Sequence, residues 1–180
     1  KQEAAVGWND KPISVPRFHA ELYDLIRDDK NWALSFASNA HPPRLWDAKE
    51  HWQWIGGNNG SGNTCVCACG AALGQKESGR YSITIGGDGD FMMSPGAIWT
   101  AAHHQLPLLY VVHNNHSWMQ EQMWVQRVAN RRNRGVDRTG IGNTMTDPTI
   151  NIAALAKSLD RKSTRLNSSH VKRSRMPSSA

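Results

Sequence analysis

Two polar clusters in this 180-residue sequence have the residue types to hold a hard metal ion and phosphate. The first, Gly86-Gly87-Asp88-Gly89, closes an alternating apolar stretch from Tyr81 to Ile85. The second, His113-Asn114-Asn115, closes the continuous apolar run Leu108-Leu109-Tyr110-Val111-Val112. A carboxylate oxygen, an amide oxygen and a backbone carbonyl are the ligands that magnesium or calcium prefers, with phosphate oxygens and water completing the shell. Gly87 and Gly89 let the chain turn sharply and bring backbone N–H groups near phosphate, and a helix beginning near Ser94 favours negative charge. Singly, a Gly-Asp-Gly is a turn signal and Asn-Asn is common in loops. Their meaning depends on whether Asp88 and Asn115 meet.

The elements between them say that they should. Ser14 and Pro16 open a helical pattern in which Phe18, Leu22, Leu25 and Ile26 share a face, ending near Asp28 and Asp29. A strand signal follows over Trp32 to Phe36. Residues 38–64 are loop-rich, with Pro42, Pro43, a Trp46/Trp52/Trp54 cluster and the run GGNNGSGN. Small residues from Cys65 to Lys76 suit a helix lying close to a sheet. Ser94 and Pro95 read as N-cap and first turn of a helix through Ile98, Trp99, Ala101 and Ala102. The 108–112 run is of the kind buried on both faces of a parallel sheet. Met119 to Arg132 reads as another helix, and Asp147-Pro148 begins a last one through Ile152, Leu155 and Leu159. This alternation predicts an α/β fold: a doubly wound, mostly parallel sheet with helices on both faces. Ligands bind such sheets outside the carboxyl ends of the strands, where Asp88 and Asn115 would both arrive.

Gly87-Asp88-Gly89, then 24 residues, then Asn114-Asn115 resembles the cofactor motif of thiamine-diphosphate-dependent enzymes. The longer string GDGDFMMSPGAIWTAAHHQLPLLYVVHNN, with VQRVANRRNRG behind it, resembles the acetolactate-synthase-like branch. The similarity runs from about Ile13 to Leu159 and corresponds to the C-terminal, diphosphate-binding domain. It implies that Asp88 ligates Mg2+ through its carboxylate, Asn115 through its side-chain oxygen and Ser117 through its backbone carbonyl. It also implies that Gly87, Gly89 and Asp90 lie against the diphosphate, with Asp90 standing where relatives often carry Ser. Trp118 and Met119 would fall near the substrate pocket, and the Gly56–Gly62 run near the aminopyrimidine ring. The implied parent is a 2-oxo acid decarboxylase or carboligase, a homodimer or homotetramer. Its activating glutamate lies on a partner's pyrimidine-binding domain, so no catalytic residue is expected within this chain, which alone should be inactive.

Composition narrows the alternatives. The formal charge is +6, but residues 161–180 carry six basic and no acidic side chains, so residues 1–160 are neutral. That excludes a nucleic-acid-binding body. The tail, RKSTRLNSSHVKRSRMPSSA, resembles translated adaptor read-through and is expected to be disordered, while residues 1–12 read as a linker remnant and residues 13–160 as one domain. No apolar run is long enough to span a membrane, and no signal-peptide pattern opens the chain, which points to the cytoplasm. Cys65, Cys67 and Cys69 read as small buried thiols. His103, His104, His113 and His116 read as structural or solvated, and Arg127, Arg131, Arg132, Arg134 and Arg138 as a solvated face or a subunit contact. A doubly wound nucleotide- and metal-binding module without thiamine chemistry is the competing function. It would need GxGxxG or GxxxxGK[ST] directly after a strand, and residues 56–62 offer neither.

Overall fold

A computed structural model describes residues 7–37, 45–55 and 62–159. Among these residues nine elements follow in order: α1 (Val15–Ile26), β1 (Trp32–Ala37), α2 (Thr64–Lys76), β2 (Tyr81–Gly87), α3 (Asp88–Met93), α4 (Gly96–His103), β3 (Leu108–His113), α5 (Met119–Arg131) and α6 (Ile152–Ser158). The strands form a parallel sheet in the order β1-β2-β3, as the βαβ alternation predicts. Residues 53–55 run alongside β1 through Leu34, which donates to Gln53 O and accepts from Ile55 N.

The period-2 alternation of the strands divides the core into two faces. Trp32 and Leu34 of β1, Ile83 and Ile85 of β2, and Leu109 and Val111 of β3 face one side. There they meet Phe18, Leu22, Tyr23 and Ile26 of α1 together with Trp46. The Trp46 indole is stacked on Tyr23 and donates to His19 O. The opposite face of β1 and β2 presents the small residues Ala33, Ser35, Ser82, Thr84 and Gly86. That lets α2 lie close on its own small residues Cys65, Ala68, Cys69 and Ala72, all buried. Leu108, Tyr110 and Val112 of β3 extend this second face under Phe91 of α3, Ile98 and Ala101 of α4, and Leu155 of α6. Helices therefore cover both faces.

Several local expectations change. The turn expected at Gly87–Gly89 is the start of a one-and-a-half-turn helix, α3, because β2 runs on to Gly87 and the chain coils directly at Asp88. Ser94 does not cap α4: it terminates α3, and its hydroxyl donates to Gly62 O instead of serving a helix N–H. The last helix starts at Ile152 rather than Asp147, since the Asn151 side chain accepts from Ala154 N and takes the capping role. β3 is only partly buried along its length, although other elements pack on both of its faces, because it is an edge strand of the described sheet. Cys67 is exposed while Cys65 and Cys69 are buried, as two positions of separation on a helix dictate. The tryptophans 46, 52 and 54 do not cluster. Trp52 carries Arg80 over its ring at 4.0 Å, and Trp54 is exposed. Residues 56–61 and 160–180, which hold most of the Gly-Asn run and the basic tail, lie outside the described residues.

At the end of β2, a Cβ on Gly86 would collide with the Tyr110 hydroxyl and approach Thr64 Cγ2 at 3.1 Å. Burial pushes the Tyr110 phenol pKa up, and the neighbouring Cys65 adds to the effect. Gly86→Ala should therefore destabilise the domain by about 1–3 kcal/mol in thermal or urea unfolding. Adding Tyr110→Phe should return part of the loss. A Gly86→Ala chain as stable as the parent would show that strand and ring are not in contact.

Candidate functional site

β2 and β3 are adjacent, and Gly87 pairs in register with His113. The residues following each strand therefore leave the sheet side by side at its carboxyl edge. Asp88, the first residue of α3, is 2% exposed. Its Oδ1 accepts from Gly89 N at 3.0 Å and its Oδ2 from His116 N at 2.6 Å. The second bond crosses between the two loops and joins the sequence-predicted clusters. Asn115 Oδ1 accepts from Ser117 N at 3.0 Å, which tightens the same loop. His116 sits between them in the left-handed region, φ 57°.

No ion pair among the described residues includes Asp88. Burial lowers the pKa of the nearby imidazole of His113, disfavouring its charged form despite the opposing pull of Asp88. The site is a buried carboxylate held by two backbone N–H groups. A carboxylate has about four lone-pair positions, so these two bonds leave acceptor capacity for a cation. Among the described residues no group of three or more His, Cys, Asp and Glu could hold a metal.

The remaining predicted residues lie on the same two turns or on the helices that open from them. A Cβ on Gly87 would meet nothing within 4 Å, so the space over it is open. A Cβ on Gly89 would lie 2.7 Å from the Trp118 ring, so the indole covers Gly89 and only glycine accommodates it there. Trp118 N donates to Asn143 O at 2.7 Å, and the half-exposed Met119 opens α5. Asp90 is directed elsewhere: its Oδ1 accepts from Gly62 N at 3.1 Å.

Sequence reasoning passed over residues 139–145, which hold the Asn115–Trp118 loop from outside. Ser117 Oγ donates to Asn143 O at 3.0 Å, Met145 N donates to His116 O at 2.8 Å, and Asn143 Nδ2 donates to Thr139 O at 2.9 Å. The signal available was Gly140, Gly142 and Asn143, turn formers too close together for a helix.

A doubly wound domain with a buried carboxylate at the carboxyl edge of its parallel sheet presents that carboxylate where open sheets of this kind bind their ligands. Residues 34–175 match the family model described as thiamine pyrophosphate enzyme, C-terminal TPP binding domain, and the chain belongs to that family. The match begins inside β1 and extends into the basic segment after Asp160. Among solved structures, benzoylformate decarboxylase from Polynucleobacter necessarius is similar at 24% identity and a TM-score of 0.66, over 88% of this chain and 29% of that one. The thiamine diphosphate-dependent 4-hydroxybenzoylformate decarboxylase of Rhodococcus jostii RHA1 is similar at 21% identity and a TM-score of 0.58, over 78% of this chain and 26% of that one. The chain thus spans less than a third of the length of these solved relatives. A search of curated proteins finds no match.

The left-handed backbone at His116 generates a test of what holds the loop. If the contact to Asp88 is made by the main chain alone, His116→Gly should leave stability within about 0.5 kcal/mol, and His116→Val should lose about 1–2 kcal/mol because a branched Cβ disfavours positive φ. Equal losses in the two variants, by thermal unfolding, would show that the imidazole ring itself supports the loop.

Proposed function

We propose that this domain binds the diphosphate of thiamine diphosphate through a Mg2+ ion ligated by the Asp88 carboxylate, Asn115 Oδ1 and the Ser117 backbone carbonyl. The observation that carries this reading is the Asp88 carboxylate, buried, without an ion-pair partner among the described residues, and bonded to the loop that bears Asn115 and Ser117. A buried anion of this kind is stabilised by a cation. The donor set is hard and oxygen-only, which suits Mg2+ or Ca2+ and not softer metals. The open space over Gly87 leaves room beside the carboxylate for phosphate oxygens.

The parent activity is decarboxylation of a 2-oxo acid, or carboligation of its acyl fragment, in an enzyme resembling acetolactate synthase. The names of the two solved relatives favour the decarboxylase. Thiamine diphosphate, when bound, supplies the electron sink for the carbanion left by decarboxylation. This chain's part is to bind and orient: Asp88 provides the negative charge that neutralises the metal, Asn115 and Ser117 complete its protein ligands, and Trp118 and Met119 border the substrate side. No described residue is assigned a proton-transfer role.

The remaining catalytic group is a glutamate on a partner's pyrimidine-binding domain, so the parent is a homodimer or homotetramer. α5 is in keeping with such a partner. It has no buried residue, and Met123, Trp124 and Val125 on it are exposed beside Arg127 and Arg131. Nothing in the neutral body of the chain calls for nucleic acid. No described helix is long and apolar enough to cross a membrane, and a cytoplasmic location remains our reading.

In the full-length enzyme that carries this domain, Asp88→Ala should raise the cofactor concentration needed for half-maximal activity by roughly ten-fold or more, equivalent to about 1.4 kcal/mol. Asn115→Ala should have a smaller effect, since it removes a neutral ligand. Activity of the Asp88 variant should recover substantially at high thiamine diphosphate and Mg2+, as mass action requires. A folded Asp88→Ala enzyme that recovers no activity at saturating cofactor and metal would rule out an anchoring role.

A further inference from the structure

Gly62, where the described chain resumes before α2, is gripped on three sides by α3 and the residue that ends it. Its N–H donates to Asp90 Oδ1 at 3.1 Å, and its carbonyl accepts from Ser94 Oγ at 2.9 Å. A Cβ on it would lie 2.5 Å from Met93 Sδ and 3.2 Å from Met93 Cβ. Its φ of 86° is one that glycine adopts without strain. Both backbone polar groups of one residue are thus satisfied by side chains of another element, an arrangement that fixes orientation as well as position. Beyond Gly62 the contacts continue: Cys65 Sγ lies 3.8 Å from Phe91 O, and buried Thr64 places Cγ2 against Gly86.

We infer that Asp90 and Ser94 are positioning residues that lock the start of α2 onto the Gly87–Asp88–Gly89 motif. The first turn of α3 carries two carboxylates with separate tasks. Asp88 engages the His116 loop beyond β3, and Asp90 engages Gly62 at the start of α2. α3 therefore sets the distance between the two chain segments that flank the site. The commitment of Asp90 to an N–H donor also accounts for an acidic residue beside a proposed phosphate site. The hydrogen bond holds one carboxylate oxygen on the Gly62 N–H, although the side chain keeps its negative charge. The role toward cofactor rests on the function proposed above; the clamp itself does not.

The test has two arms, the first on the 180-residue chain and the second on the full-length enzyme that carries this domain. Without cofactor, amide exchange at Gly62 is followed by NMR in wild type, Asp90→Ala, Asp90→Asn and Ser94→Ala. Asp90→Ala should speed exchange by roughly ten-fold. Asp90→Asn, which keeps an acceptor oxygen, should stay near wild type, and Ser94→Ala should fall between them. In the second arm, thiamine diphosphate is titrated with Mg2+ present. Asp90→Ala should bind more weakly than wild type, while Asp90→Asn should bind as tightly or more tightly. Unchanged Gly62 exchange in both Asp90→Ala and Ser94→Ala would overturn the clamp. Equal weakening by Asp90→Asn and Asp90→Ala would overturn it too, since charge rather than the hydrogen bond would then matter. If Gly62 exchange responds as expected while wild type binds no cofactor, the clamp stands and the proposed function falls.

Discussion

The site depends on one contact, the 2.6 Å hydrogen bond from His116 N to Asp88 Oδ2. It joins the turn after β2 to the turn after β3 at the carboxyl edge of the sheet. A nearly fully buried carboxylate is costly unless its oxygens are occupied, and two backbone N–H groups occupy them only in part. The fold thus holds an anion with unused acceptor capacity, bonded to the loop that bears Asn115 and Ser117. Under the proposed function, a divalent cation bridging to phosphate would use that capacity.

Everything around this contact serves to keep it in place. The parallel register that sets Gly87 against His113 brings the two turns alongside each other. Gly86, Ser82 and Thr84 keep the face of β2 under α2 small, so the crossover from β1 to β2 can lie close on the sheet. Residues 139–145 brace the loop from outside through Asn143 and Met145, and α3 braces it from within. The backbone conformation at His116 then aims its N–H at Asp88.

The parts legible in the sequence were those with a physical period or a fixed spacing. The strand runs 81–85 and 108–112, the small-residue helix after Cys65, and the pairing of Asp88 with the Asn115 loop all follow from apolar patterning and the rule that parallel strands deliver their ends to one edge. What stayed hidden depended on which of several side chains wins a given backbone group. Ser94 and Pro95 have the form of a helix start, yet the Ser94 hydroxyl finds the Gly62 carbonyl, a partner 32 positions away that no local pattern reveals. Asn151 takes the cap that Asp147-Pro148 was expected to supply. Asp90, read as a phosphate neighbour, is bonded to Gly62. The half-exposure of β3, despite its unbroken apolar run, reflects strand order and not residue type.

The central claim is that Asp88, Asn115 and Ser117 hold the metal that anchors the diphosphate. It is tested most directly by a crystal structure of the enzyme containing this domain, grown with thiamine diphosphate and Mn2+ in place of Mg2+ and measured at the manganese absorption edge. The account predicts a single anomalous peak about 2.1–2.2 Å from an Asp88 carboxylate oxygen, Asn115 Oδ1 and the Ser117 carbonyl, with diphosphate oxygens on its open side. Cofactor bound with manganese elsewhere, and Asp88 still bonded only to Gly89 and His116, would contradict it.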